Sequence, residues 1–147
     1  MTVPSVTLFG PIDTILGPYA EYAVLVLVIS NLLTRKLAHD AHVRQAREGG
    51  EDAIKRHPLH VASSWGLVLV SFYYVTLHHH SGTIVAMFAL AIFIADLFEF
   101  EARRVEARND MPLESPKGAI TISIVALLYA AYISVFFIVA PIWNAIV

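Results

Sequence analysis

The chain has 147 residues, room for one domain, and is 57% hydrophobic and only 15% charged, with a mean hydropathy of +0.65. A soluble domain is usually about 25% charged, so the charged side chains are too few to cover a water-exposed surface. The formal net charge of −2 indicates no nucleic-acid partner. The absence of cysteine excludes disulfides, thiolate catalysis and thiolate metal sites.

Four apolar stretches dominate the chain, each close to the ~20 residues that a helix needs to cross ~30 Å of hydrocarbon. They cover residues 18–34, 60–77, 83–100 and 118–140. A helix satisfies its backbone hydrogen bonds within itself, as lipid requires. We therefore predict an all-α fold, a single transmembrane domain of residues 1–147 in which four helices form a polytopic bundle.

Local signals indicate where these helices begin, end and turn. Asp13 can cap a short helix before the first span, and Gly49–Gly50 should end an extension of the first span's helix. Ser115–Pro116 combines a capping side chain with a proline, which predicts the start of the fourth helix. The turn between spans two and three is expected around His80–Gly82, so these helices form an antiparallel hairpin.

All basic residues fall in two connections, residues 35–59 and 101–117. They are Arg35, Lys36, Arg44, Arg47, Lys55 and Arg56 in the first, and Arg103, Arg104, Arg108 and Lys117 in the second. Both connections must lie on one side, and the positive-inside rule makes that side the cytoplasm. We thus expect a multi-pass protein of the cell membrane with both termini outside. Aromatic residues expected at the interfaces are Tyr19, Tyr22, Tyr73, Tyr74 and Trp143 outside and Trp65 inside.

The fourth span carries small residues along one helical face. These are Ala119, Ser123, Ala126, Ala130 and Ser134. Small residues let helices approach closely in lipid, where the hydrophobic drive for association is weak. We interpret this face as a close-packing ridge within the bundle; the alternative is a face that docks another subunit. Bulky residues opposite it, among them Ile133 and Phe136, suit contact with lipid.

The third span holds an acidic residue at an unusual depth. Only 13 apolar residues, about 20 Å of helix, precede Asp96, which must therefore lie within the hydrocarbon core near the basic side. A carboxylate there costs roughly 2.5–3.5 kcal/mol unless it is paired or protonated, so it should face the bundle interior. We expect an intramembrane polar cluster of Asp96, Glu99, Arg35, Asn31, His60 and Ser63, with Thr34, Lys36 and Ser64 at the same depth. Glu99 can also pair with Arg103 one turn away.

Two interpretations of this cluster stay open. In the first it is a structural network that ties the basic ends of the helices together. In the second, Asp96 is the key group of a site that handles protons or ions. Outside the third span, the only acidic residue within a span is Glu21, near the outer side, and a path from Asp96 to Glu21 would cross a largely aliphatic centre.

Seven histidines raise the question of a metal or haem. His78, His79 and His80 form a run beside the second span, but consecutive helical side chains splay by about 100°, so at most two could share an ion. No other span offers a facing internal histidine for His60, which argues against bis-histidine haem ligation within one chain. His39 and His42 are expected on a solvated helix face; the alternative is that they bind a metal together with Asp40. We therefore predict no cofactor, with a His-based haem or transition-metal site as an alternative.

Three strings resemble those of a small uncharacterised family of membrane proteins of halophilic archaea. They are SFYYVTLHHH at Ser71–His80, ADLFEFEARRVEARND at Ala95–Asp110, and APIWNAIV at Ala140–Val147. The resemblance covers nearly the whole chain and implies a prokaryotic cell membrane. It transfers no activity, because the family's motifs carry no known mechanism.

No nucleophile elbow, phosphate-binding loop, dinucleotide fingerprint or metalloprotease motif is present, which argues against an enzyme. We expect a non-enzymatic integral membrane protein that serves as an accessory or scaffold subunit. Its partners would be the lipid bilayer and other membrane subunits or a second copy of itself. Two alternatives are a small proton- or ion-coupled transporter or channel using Asp96, and a His-based metal- or haem-binding subunit.

Overall fold

A computed structural model describes residues 9–147, apart from the side chains of residues 137 and 138. In this part of the chain every regular element is helical, which confirms the all-α prediction. The α-helices are α1 (Pro11–Leu16), α2 (Ala20–Gly49), α3 (Pro58–Leu77), α4 (His79–Arg108) and α5 (Lys117–Ile146). Short 3₁₀ turns occupy Gly17–Tyr19 and Glu51–Ala53. Four helices, α2 to α5, are long and apolar enough to cross a membrane, as predicted.

Three of these helices are longer than the hydrocarbon of a bilayer. At 30 residues each, α2, α4 and α5 are about 45 Å long, against ~30 Å of hydrocarbon. The helices α2 and α4 run parallel, and their charged carboxyl-terminal ends project together on the basic side, where residues 35–49 and 101–108 of the predicted connections are helical. The left-handed backbone of Gly50 (φ 69°) ends α2, as its sequence predicts.

The four long helices form a ring in which α2 packs on α3, α3 on α4, α4 on α5, and α5 on α2. Its centre is aliphatic: Val24 and Val28 of α2 meet Leu67 of α3, Ile92 of α4 and Ala130 of α5, all fully buried. Outward-facing positions are mostly large and apolar, as lipid contact requires. Tyr74 is buried in this core and does not face lipid, a correction to the predicted aromatic belt.

The hairpin between α3 and α4 is tighter than predicted. His78 alone separates the two helices, whereas the expected turn residues His80–Gly82 belong to the first turns of α4. The N–H of Gly82 donates to the carbonyl of His78 at 2.7 Å. A Cβ atom on Gly82 would lie only 2.4 Å from the Cα of Val75, so only glycine permits this approach.

The predicted helix starts at Asp13 and Ser115 are corrected in detail. Asp13 is the third residue of α1, and its carboxylate accepts the N–H of Phe9 at 3.3 Å while Gly10 occupies the capping position. Ser115 makes no capping hydrogen bond, and α5 begins at Lys117. The first N–H groups of a helix have no acceptor within that helix. At the start of α5, one of these N–H groups donates to a side chain of another helix, as described below.

Candidate functional site

The sequence-predicted polar residues of α2, α3 and α4 meet at the basic end of the bundle. Asn31, Thr34 and Arg35 share the inward face of α2, because residues three and four apart lie on one side of a helix. The polar cluster comprises Asn31, Thr34, Arg35, His60, Ser63, Ser64, Asp96 and Glu99. Lys36, at the same depth, does not join it and instead pairs with exposed Asp40 at 3.2 Å.

Arg35 connects α2 to the diagonally opposite helix α4. Its guanidinium is 2% exposed and donates through Nη1 to Oδ1 of Asp96. Nη2 donates to Oδ1 of Asn31 at 2.8 Å, and Nη1 lies 3.7 Å from Oε2 of Glu99. The buried cation is thus offset by two carboxylates from α4, as a charge in a low-dielectric interior requires.

Asn31 extends the network to α3. Its amide nitrogen donates to the hydroxyls of Ser63 at 3.1 Å and Ser64 at 3.0 Å, while its amide oxygen accepts from Arg35. Ser64 in turn donates to Oδ2 of Asp96 at 3.2 Å. Every hydrogen-bonding atom of the Asn31 side chain therefore has a partner, which makes this 1% exposed residue the junction of the three helices.

Asp96 also meets His60 of α3. Oδ2 of Asp96 lies 3.1 Å from Nε2 of His60, and an ionised carboxylate can only accept, so Nε2 carries a proton. Nδ1 of His60 lies 3.0 Å from the hydroxyl of Thr34. That hydroxyl can donate to a neutral imidazole, or accept from an imidazolium and donate to the carbonyl of Asn31 at 3.1 Å. The arrangement satisfies His60 in both protonation states.

Glu99 has a role that the sequence did not indicate. Its Oε1 accepts the N–H of Ala119 at 3.1 Å, so a side chain of α4 caps the start of α5. The predicted one-turn contact with Arg103 exists at 4.0 Å. Glu99 therefore links α5 to the polar cluster.

A pocket of about 280 Å³ opens beside the polar cluster, between α2, α3 and α4. Asp96, His60 and Ser64 form its inner wall. Arg56, His57 and Arg103 line it toward the basic side, and Trp65 and Phe93 line it toward the membrane centre. We call it the basic-end pocket.

His42 lies at this pocket and corrects the expected solvated face of α2. It is 3% exposed, with Nδ1 3.1 Å from Nη1 of Arg103 and Nε2 2.8 Å from the carbonyl of Lys55. Since a guanidinium only donates, Nδ1 accepts and Nε2 carries the proton. Helical periodicity in the sequence could have indicated that His42 is buried, because it falls seven residues after Arg35 on the inward face of α2.

The histidine run does not come together as one site. His78, in the turn, places Nε2 3.2 Å from Oε1 of buried Glu21, whereas His79 and His80 are exposed in the first turn of α4. Across residues 9–147, no group of three or more His, Asp or Glu side chains is placed to hold a metal ion. The pair of His78 and Glu21 instead forms a second polar contact at the opposite end of the bundle.

The small-residue face of α5 is buried inside the ring. Ala119, Ser123, Ala126, Ala130 and Ser134 are each at most 6% exposed. Ser134 also donates to the carbonyl of Glu21 at 3.3 Å. This face lies against its own bundle and is not open to another subunit. Ile133, expected to face lipid, is buried as well, whereas Phe136 is half exposed.

The sequence profile of a family described as a domain of unknown function (DUF7313) matches residues 3–147. The chain therefore belongs to this family. Neither a search of curated proteins nor a search of solved structures found a match.

Proposed function

We propose that this chain is a non-enzymatic integral membrane protein that serves as an accessory or scaffold subunit. In this proposal the basic side faces the cytoplasm and both termini lie outside, in the cell membrane of a prokaryote. The resemblance of the sequence to membrane proteins of halophilic archaea supports that source.

The observation that carries the proposal is a braced projection on the basic side. The projecting ends of α2 and α4, residues 39–49 and 101–108, hold the connecting segment between them through directed contacts. Glu51 accepts from Nε of Arg108 at 2.7 Å, and the carbonyl of Lys55 contacts His42 at 2.8 Å. Gln45 accepts the N–H of Lys55 at 3.1 Å. A fixed, densely charged surface of this kind suits recognition of another chain.

The polar cluster supports the same proposal, because it ties together the helices that carry the projection. Its buried charges are matched by partners from other helices, so its geometry suits a structural role. The exposed charges above it offer both signs to a partner: Arg44, Arg47, Glu48, Asp52 and Glu101. The partner would be another membrane subunit or a second copy of the chain.

The test is purification of the tagged full chain in mild detergent, followed by native mass spectrometry. We expect a co-purifying subunit or a second copy, and we expect Arg44→Glu with Arg47→Glu to release it. The matched control, His79→Glu with His80→Glu, places exposed charges at the opposite end and should leave the association intact. A lone monomer both in detergent and in native lipid particles would overturn the proposal.

A second candidate is proton transfer through Asp96, and the inward face of α3 favours it. This face carries His60, Ser64, Ser71 and Tyr74 at helical spacings of three, four or seven residues, and His78 follows in the turn after α3. Tyr74 and Ser71 are at most 1% exposed, and the hydroxyl of Ser71 has no hydrogen-bond partner.

This polar face is interrupted at one layer. Between Ser64 and Ser71, about 10 Å apart along the axis, Leu67 packs against Val28 and Ile92. A proton path would therefore need this layer to open. Proton flux into proteoliposomes, measured with a pH-sensitive dye, tests the candidate. Asp96→Asn should abolish the flux and Lys36→Gln should not, and the absence of flux in the parent protein would refute it.

A further inference from the structure

The basic-end pocket has an uneven charge. Two guanidiniums, Arg56 and Arg103, line it together with one carboxylate, Asp96. Asp96 is already offset by Arg35, which lies behind the pocket wall. The pocket therefore presents positive charge that no carboxylate within it balances, which favours an anionic ligand.

Arg56 is the accessible part of this charge. Its guanidinium lies over the ring of Phe100, 4.2 Å from the centroid, and its side chain is exposed. Among residues 9–147 it forms no ion pair. The stacked geometry fixes the guanidinium at the mouth of the pocket while leaving its N–H groups available.

Arg103 is the buried part. It is only 6% exposed, and its contacts are the neutral nitrogen of His42 at 3.1 Å and Glu99 at 4.0 Å. Nearby, the buried Nδ1 of His57 has no hydrogen-bond partner and lines the same pocket. His57 also precedes α3, whose start lacks a side-chain cap. Unpaired helix N–H groups add to the positive potential there.

The other half of the pocket is apolar and open to the membrane. The rings of Trp65 and Phe93 meet edge to face at 5.0 Å, and Trp65 and Leu97 are 51% and 40% exposed on the lipid-facing surface. Trp65 is seven residues into α3, so it lies about 10 Å deeper in the bundle than the pocket mouth. That distance matches the step from a lipid phosphate to the first part of its acyl chain.

We propose that the basic-end pocket binds one anionic membrane lipid, with its phosphate between Arg56 and Arg103 and an acyl chain along Trp65 and Phe93. Charge at the mouth and aromatic walls below it match the two halves of such a molecule. Basic pockets between transmembrane helices hold lipid headgroups in this manner. The proposal does not depend on which side of the membrane is cytoplasmic, since it needs only an interface at the basic end.

Trp65 supplies the assay. In a Trp143→Phe variant, Trp65 is the only tryptophan. The purified full chain in detergent is titrated with phosphatidylglycerol brominated on its acyl chains, or with phosphatidylcholine brominated in the same way. We expect the anionic lipid to quench Trp65 fluorescence at about one tenth of the concentration that the zwitterionic lipid requires. Both lipids carry a phosphate, but the choline cation of the zwitterionic lipid would be repelled by Arg56 and Arg103, which sets a preference of about tenfold.

Arg56→Gln should remove most of this preference. The unfolding temperature of the variant, measured in parallel, should be unchanged because the Arg56 side chain is exposed. The matched control Lys36→Gln removes an exposed charge from the same side but outside the pocket, and the preference should persist. Equal quenching by both lipids, or equal loss in both variants, would overturn the proposal. Inorganic phosphate could instead change Trp65 fluorescence in a saturable way and resist displacement by the anionic lipid. That result would identify a soluble anion as the ligand and would also overturn the proposal.

Discussion

Removing Arg35 should destabilise the bundle more than any exposed charge change can. Arg35 is 2% exposed and holds Asp96, Asn31 and Glu99 at once. Arg35→Gln keeps a polar side chain of similar length but removes the guanidinium that pairs with Asp96. Breaking a buried ion pair by removing one partner costs about 3–5 kcal/mol, because the other charge is left buried without compensation.

The two partners of the pair should not be equivalent. After Arg35→Gln, two carboxylates of α4 lose their shared cation, so we expect the free energy of unfolding to fall by about 3–5 kcal/mol. After Asp96→Asn, Arg35 still has Glu99 at 3.7 Å and Asn31 at 2.8 Å. We therefore expect a smaller loss for Asp96→Asn, about 1–3 kcal/mol. The double variant should be more stable than the sum of the single changes predicts, since it removes both charges.

The assay is reversible unfolding in mixed detergent micelles with increasing dodecyl sulfate, followed by circular dichroism. Lys36→Gln is the matched control, because the pair of Lys36 and Asp40 is 77% and 58% exposed. Its loss should change the free energy of unfolding by no more than about 0.5 kcal/mol. Equal effects of Arg35→Gln and Lys36→Gln, or strictly additive single and double changes, would refute this account of the polar cluster.

Three further changes test the packing and the projection. Gly82→Ala should lower stability by about 1–3 kcal/mol through overpacking. Gly66→Ala is the control and should be tolerated, because its added Cβ makes an ordinary 3.5 Å contact. Equal shifts of the unfolding temperature in the two variants would contradict this. Ala130→Leu on the buried face of α5 should cost a similar amount, and an unchanged unfolding midpoint would argue against close packing there. The hydrogen bond from Arg108 lowers the pKa of Glu51 below its usual 4.5. The contact between the two side chains therefore stabilises the folded state at neutral pH, and this stabilisation is lost as the pH falls through the lowered pKa. In an NMR titration, Arg108→Gln should return the pKa of Glu51 upward, and no change would contradict the contact.

Composition and charge placement were sufficient to predict the membrane fold. Four apolar stretches gave the four spans, because lipid permits few ways to satisfy a backbone. The depth of Asp96 pointed to a polar cluster, since a carboxylate within the hydrocarbon needs partners at its own level. The sequence could not distinguish Arg35 from Lys36 as that partner. Neighbouring residues on a helix point about 100° apart, and only the packing shows which one faces inward.

Contacts between helices distant in sequence account for what was missed. The capping of α5 by Glu99 replaced the expected Ser115 cap, because the nearer acceptor belongs to another helix. His42 was assigned to a solvated face, but the projection of α4 brings Arg103 over it. The turn at His78 was displaced because Gly82 lets α4 begin directly against α3. Each depends on how closely two helices approach, which periodicity alone does not specify.

The central claim is that the chain crosses the membrane four times with both basic connections on one side. The chain has no cysteine, so single cysteines can be introduced at exposed positions without background. Glu48→Cys and Met111→Cys probe the basic connections, and His80→Cys and Asn144→Cys probe the opposite side. In intact cells, a membrane-impermeant maleimide should label positions 80 and 144 at once, and positions 48 and 111 only after the membrane is opened. Labelling of positions 48 and 80 from the same side would contradict the account, because α3 would then not cross the bilayer.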